Sequence, residues 1–170
     1  RLAAFQNPEF YRAQAMRLPT FGKPRIVSCA ELHPRHIALP RGCFDEAVGL
    51  LSDQGASVDL DDLREDGTAL PETVRFRGEL RQQQSRAFNA LIEHDNGVLA
   101  ATTAFGKTVV ASALIAYRAR NALVLVHRRE LLNQWVERLG SFLQIDLKQI
   151  GTIGAGKRKP SGVIDVALIQ

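Results

Sequence analysis

The sequence predicts an α/β fold, a parallel sheet built around a phosphate-binding loop and preceded by a small α+β domain. Three observations carry this expectation. From Leu80 onward, short apolar runs alternate with stretches of helical periodicity, and that alternation brings successive strands side by side with helices as crossovers. The run Ala122-Leu123-Val124-Leu125-Val126 is apolar at every position, as a parallel strand covered on both faces would be. Between Gly97-Val98-Leu99-Ala100 and the helical stretch opening at Val109 lies Ala101-Thr102-Thr103-Ala104-Phe105-Gly106-Lys107-Thr108. A small residue, four variable positions and Gly-Lys-Thr, in strand-loop-helix order, is the sequence form of a loop that cradles phosphates.

Taken in order, residues 5 to 17 read as a helix, with Asn7 as its cap, Pro8 in the first turn and Phe10, Tyr11, Ala13, Ala15 and Met16 as apolar positions. Leu18-Pro19 ends it. Two apolar runs, Arg25 to Cys29 and His36 to Leu39, are parted by Glu31 to Pro34 and read as a hairpin. Asp45 to Gln54 has helical spacing and stops at Gly55. Val58 to Leu63 and Thr73 to Phe76 are weak strand candidates. These elements make a domain over residues 1–78. The second domain, residues 79–170, holds a helix at Gln83 to Glu93, a strand at Gly97 to Ala100, the loop, and a helix at Lys107 to Arg118. The strand Ala122 to Val126 and a helix from Arg129 to Leu139 follow. Strands at Ile150 to Ile153 and Ile164 to Ile169 enclose a Gly/Lys-rich turn.

Composition narrows the classes. The chain has 170 residues and a net charge of +4, and no apolar run approaches the roughly 20 residues of a membrane span, so no membrane partner is expected. It opens at Arg1 without a signal-peptide pattern, which reads as an internal fragment. Two cysteines, Cys29 and Cys43, are too few for a disulfide framework and suit a reducing, cytoplasmic setting. Cys29, His33 and His36 have a metal-like spacing, but Pro34 interrupts them and no fourth ligand stands out, which argues against zinc. Residues 1–78 hold 10 Lys/Arg against 11 Asp/Glu, whereas residues 79–170 hold 12 against 7. The loop-bearing half is the basic one, which points to a polyanionic second partner or to a solvated basic face.

Each loop position has a chemical task. Gly106 lets the backbone approach an anion, and the amides opening the next helix direct their positive ends at it. Lys107 would reach the terminal phosphates and the Thr108 hydroxyl would hold Mg²⁺.

Three further stretches turn this into a family resemblance. Leu80-Arg81-Gln82-Gln83-Gln84 resembles the L-R-x-x-Q pattern of superfamily-2 helicases. His127-Arg128-Arg129-Glu130-Leu131-Leu132-Asn133-Gln134-Trp135 resembles their motif Ia. Gly151 to Pro160 with Ile164 to Gln170 resembles motif Ib and the strand opening motif Ic, although Leu168 replaces the usual threonine. Ala38 to Gly42 and Phe76 to Arg81 further resemble the front domain of helicases of the xeroderma pigmentosum group B and restriction types.

The resemblance implies a RecA-like first motor lobe, incomplete here, behind an accessory domain that contacts duplex. It implies ATP and Mg²⁺ as cofactors, with Arg81, Gln84, Ala101, Thr102, Thr103, Ala104, Phe105, Gly106, Lys107 and Thr108 at the nucleotide, and Gln84 reading adenine. Lys107 and Thr108 would be the catalytic pair, Thr108 serving the metal through the nucleotide. Arg128, Arg129, Lys157, Arg158 and Lys159 would grip nucleic acid, with double-stranded DNA as the expected track. Leu131, Leu132 and Trp135 have core spacing. The family's Asp-Glu-x-His box, which should follow motif Ic, and the second lobe are absent up to Gln170, so turnover is expected of the complete protein rather than of this piece. Two other classes stay open: a non-catalytic nucleic-acid-binding module with a structural loop, and a P-loop kinase or transporter-type ATPase.

Overall fold

The computed structural model describes residues 2–154 and 156–169. The chain divides into two compact units, Arg1–Asp62 and Leu63–Gln170.

The first unit contains β1 (Ala4–Gln6), α1 (Pro8–Ala15), β2 (Ile26–Ser28), β3 (Glu31–Leu32), β4 (Ile37–Ala38) and α2 (Phe44–Asp53). Asn7 starts α1 as expected: its Oδ1 accepts the Glu9 amide at 3.0 Å, and Pro8 sits where a missing N–H costs nothing. The helix stops when Arg17 turns left-handed at φ 54 and the Leu18 amide reaches back to the Ala13 carbonyl at 2.8 Å. The expected hairpin of the two apolar runs is replaced by two separate ribbons. β2 pairs antiparallel with β1, Phe5 opposite Val27, and β4 pairs with β3, Glu31 opposite Ala38. Asn7 explains the switch, because its backbone amide and its Nδ2 bond the carbonyls of Arg25 and Pro24 at 2.9 and 2.8 Å. That commits the next three residues to β1. Among the described residues of this unit, Phe10, Ala13 and Asn7 are buried.

The second unit holds α3 (Gln82–Ile92), α4 (Lys107–Arg118), β5 (Ala122–Val126), α5 (Arg129–Leu143), β6 (Ile150–Gly154), β7 (Lys157–Lys159) and β8 (Ile164–Leu168). Its sheet runs β5-β8-β6-β7. β5, β8 and β6 are parallel, with Val124 level with Val166 and Thr152 level with that same Val166. β7 is an antiparallel edge on β6, where the sequence suggested only a turn. α5 lies against β5, β6 and β8, α4 packs on α5, and α3 packs on α4. Leu139, Leu143, Ile164 and Val166 are fully buried at the centre, and Trp135 packs against them as its spacing predicts.

Three local expectations change. Residues 97–100 form no strand, and Val98 is 92% exposed. β5 is covered on one face only: Val124 and Val126 join the core, while Leu123 and Leu125 remain more than half exposed. Val58 to Leu63 and Thr73 to Phe76 form no strands. Instead Leu70 donates to the Ala119 carbonyl and Asn121 to that of Thr68, at 2.9 and 2.8 Å, and Leu70 and Val74 enter the core. These residues thus belong to the second compact unit, Leu63–Gln170.

Candidate functional site

The loop Ala101–Gly106 is shaped by two left-handed residues, Ala104 at φ 67 and Gly106 at φ 92. Gly106 opens α4 without a side-chain cap, and its carbonyl accepts the Val109 amide at 2.9 Å. A Cβ at this position would run into the side-chain amide of Gln84, so both the torsion and the space call for glycine.

Lys107 folds back over the loop, its Nζ donating to the carbonyls of Ala101 at 3.0 Å and Thr102 at 2.9 Å. Gln84 is only 3% exposed. Its Oε1 accepts the Arg81 amide at 2.9 Å and its Nε2 donates to the Phe105 carbonyl at 2.7 Å. Arg81 donates a guanidinium N–H to the same carbonyl, also at 2.7 Å. Two side chains from the start of α3 thus hold one carbonyl of the loop, and the sequence-distant L-R-x-x-Q stretch and the loop form a single construction. Thr108 is half-buried at the first turn of α4, its carbonyl accepting the hydroxyl of the fully buried Ser112 at 2.9 Å.

A cleft of about 370 Å³ lies between Arg81–Gln84 and Thr102–Phe105. Its walls carry amides, hydroxyls and one guanidinium but no carboxylate, with the Lys107 ammonium nearby, a donor set that suits a polyphosphate. A slightly larger cleft, about 430 Å³, runs between Val74–Leu80 and the Phe88 and Tyr117 rings. It is mainly apolar and lies along the middle of α3 and α4, away from the loop.

Topology brings only some of the other predicted residues to one edge. Because β5, β6 and β8 are parallel, their carboxyl ends share one edge of the sheet. Arg128 and Arg129 leave β5 at that edge, both exposed, and Lys157 opens β7 opposite Gly154 at the end of β6. Arg158 and Lys159 step away from the edge, paired with Ile153 and Thr152, and face opposite sides of the ribbon. The Lys157 side chain, and Ala155 and Gln170 of the quoted motifs, lie outside the described residues.

Two contributors were not singled out from sequence. Asp165 accepts the Ser161 amide at 2.7 Å, the Ser161 hydroxyl at 3.0 Å and the Gly162 amide at 3.2 Å. It thereby caps the turn that feeds β8. The Ser-Gly pair ahead of it was the available signal. Ser112 bonds one turn back in its own helix and left no such trace. Elsewhere, the imidazoles of His33 and His36 stack at 4.4 Å, and among the described residues no three His, Cys, Asp or Glu side chains are grouped to hold a metal. Among the same residues, no helix is long and apolar enough to cross a membrane.

Comparison with known proteins is consistent with this architecture. Residues 77–170 match the family described as type III restriction enzyme, res subunit. Over 90 residues, 53% of the chain, it is 32% identical to the DNA 3'-5' translocase XPB2 of Sulfurisphaera tokodaii and covers 20% of that protein. The UvsW helicase from bacteriophage T4 superposes on 98% of the chain with a TM-score of 0.61 at 15% identity, and 65% of its own chain is covered. The chain thus spans a fifth of the length of the first relative and under two thirds of the second.

Proposed function

The chain belongs to the type III restriction enzyme res-subunit family of superfamily-2 helicases, and we propose that it is the ATP-binding part of a DNA translocase. The observation that carries this reading is the convergence of Arg81 and Gln84 on the Phe105 carbonyl beside Lys107. It supports the reading because the Gln84 side-chain amide and the loop residues Thr102–Phe105 form the two walls of one cleft.

In this proposal Lys107 exchanges its two carbonyl acceptors for phosphate oxygens, and the amides at the start of α4 bind the same anion. Thr108 would hold Mg²⁺, which when bound supplies positive charge to the phosphates as charge develops on them. Gln84 positions the loop through Nε2 and retains one N–H and one lone pair for an adenine edge. Because Gln84 and Arg81 both hold Phe105, filling the cleft would be felt directly by the loop. Arg128, Arg129 and the Lys157–Lys159 ribbon would take the nucleic-acid backbone at the carboxyl edge of the sheet. The unit Arg1–Asp62 belongs to the accessory domain proposed to touch the same nucleic acid, and duplex DNA is the proposed track. ATP can drive movement only if affinity for DNA differs between nucleotide states. Turnover is proposed for the complete protein.

The test is ATP hydrolysis by the complete protein, alone and with duplex DNA, single-stranded DNA and RNA. Strong stimulation by one of the DNA forms is expected. A second reading, a structural loop in a binding module, draws on the two carbonyls that already satisfy Lys107. A folded protein that binds ATP yet shows no turnover with any nucleic acid would select it.

A further inference from the structure

The near-neutral balance of the first 78 residues conceals a polarity. Between Phe10 and Ala30 stand Arg12, Arg17, Lys23 and Arg25 without a single acidic residue, whereas Asp45 to Asp66 holds eight carboxylates against Arg64 alone. At the centre of the basic stretch, Thr20-Phe21-Gly22-Lys23 forms a tight turn. The Lys23 amide donates to the Thr20 carbonyl at 3.0 Å, and Gly22 takes the left-handed third position at φ 74. Phe21 stands at the tip and is 98% exposed, more than any other large apolar residue described.

This tip is held at both ends. On one side, Leu18 bonds back to Ala13. On the other, Asn7, itself buried, takes the carbonyls of Pro24 and Arg25. The Arg25 guanidinium is further fixed 5.5 Å over the Phe10 ring. A bare ring on a pinned turn loses contact with water only when something covers it, and its flanking cations select a polyanion with flat apolar faces.

We propose that Phe21 is a base-stacking tip for single-stranded nucleic acid, with Arg17 and Lys23 on the flanking phosphates. The inference rests on the reading of this unit as a nucleic-acid-contacting accessory domain and adds to it a residue and a strand state. An aromatic ring stacks on an unpaired base of any sequence, while entry into intact duplex must first unstack a base step.

The experiment uses the complete protein and a single-stranded oligonucleotide carrying 2-aminopurine, with a fully paired duplex and phosphatidylserine vesicles in parallel. Phe21→Ala is expected to weaken single-strand binding on the order of tenfold, to abolish the 2-aminopurine change on binding, and to leave ATP turnover without DNA untouched. Phe21→Trp should restore both signals. Arg17→Ala with Lys23→Ala should lower the slope of log affinity against log salt by about 1.4, at roughly 0.7 per cation. Equal affinity and an equal 2-aminopurine signal in Phe21→Ala would overturn the tip while DNA-stimulated turnover left the motor reading standing. An equal loss on paired duplex would overturn the single-strand assignment, and a loss confined to vesicles would make the tip a membrane contact. Absence of DNA-stimulated turnover in the unaltered protein would strike the motor reading instead.

Discussion

The two units hold themselves together by different means. Leu63–Gln170 is organised by a shared apolar core, in which Leu139 and Leu143 of α5 meet Ile164 and Val166 of β8. Arg1–Asp62 buries little beyond Phe10 and Ala13 and is organised by Asn7, which caps α1 and ties the return of the chain through Pro24 and Arg25. A core built from many contacts tolerates the loss of one polar group, whereas a unit pinned through a single asparagine does not. The contrast also separates tasks. The well-packed unit carries the loop that demands positional precision, and the sparsely packed one displays exposed groups.

Removal of a core side chain should have the largest effect. Leu139→Ala should cost about 3–5 kcal/mol in urea denaturation of the chain, the range for a fully buried leucine whose surroundings cannot collapse. A cost under about 1 kcal/mol would deny that the core organises the second unit. Asn7→Ala should cost about 2 kcal/mol, from one cap and an orphaned carbonyl at Pro24. The loss should be confined to the first unit, visible as faster hydrogen exchange at the position-7 and Glu9 amides and the β1–β2 amides with unchanged protection in β8. Spread of the effect into β8 would mean that the units are not separately held.

Gly106→Ala should weaken nucleotide binding by about 1–2 kcal/mol, since an alanine at φ 92 is strained, its Cβ meets Gln84, and the loop must leave this shape to relieve both. The melting of the core should change little. At the small end, Leu123→Ser should shift stability by less than about 0.5 kcal/mol, because this side chain is 59% exposed on the uncovered face of β5. A large loss would show that this face is packed.

What could be foreseen follows the same division. In the second unit, burial dictates structure, and burial writes periodicity: the spacing of Leu131, Leu132 and Trp135, the apolar run 122–126 and the Gly-Lys-Thr at Lys107 each led to the element that formed. Periodicity failed where it had no second side to report. Leu123 and Leu125 read as buried because an apolar strand does not say which face is covered, and Val98 read as strand without a pairing partner. In the first unit, the pairing of β2 with β1 hangs on hydrogen bonds from Asn7 across 17 residues, a relation that no local pattern encodes. At the site, residue types were legible but their linkage was not. Only the family resemblance made Gln84 a candidate base reader, and only the folded chain joins it through the Phe105 carbonyl to the loop. The polarity between Phe10–Ala30 and Asp45–Asp66 was legible in principle and vanished when charges were summed over the whole front half.

Whether the Lys107 loop holds a nucleotide is read from the binding of a fluorescent ATP analogue to the chain and to its Lys107→Ala variant, with circular dichroism of both. Saturable binding is expected, weakened by the substitution at least about tenfold, a difference of about 1.4 kcal/mol, with the fold unchanged. Equal binding by two equally folded proteins would contradict a nucleotide site at this loop.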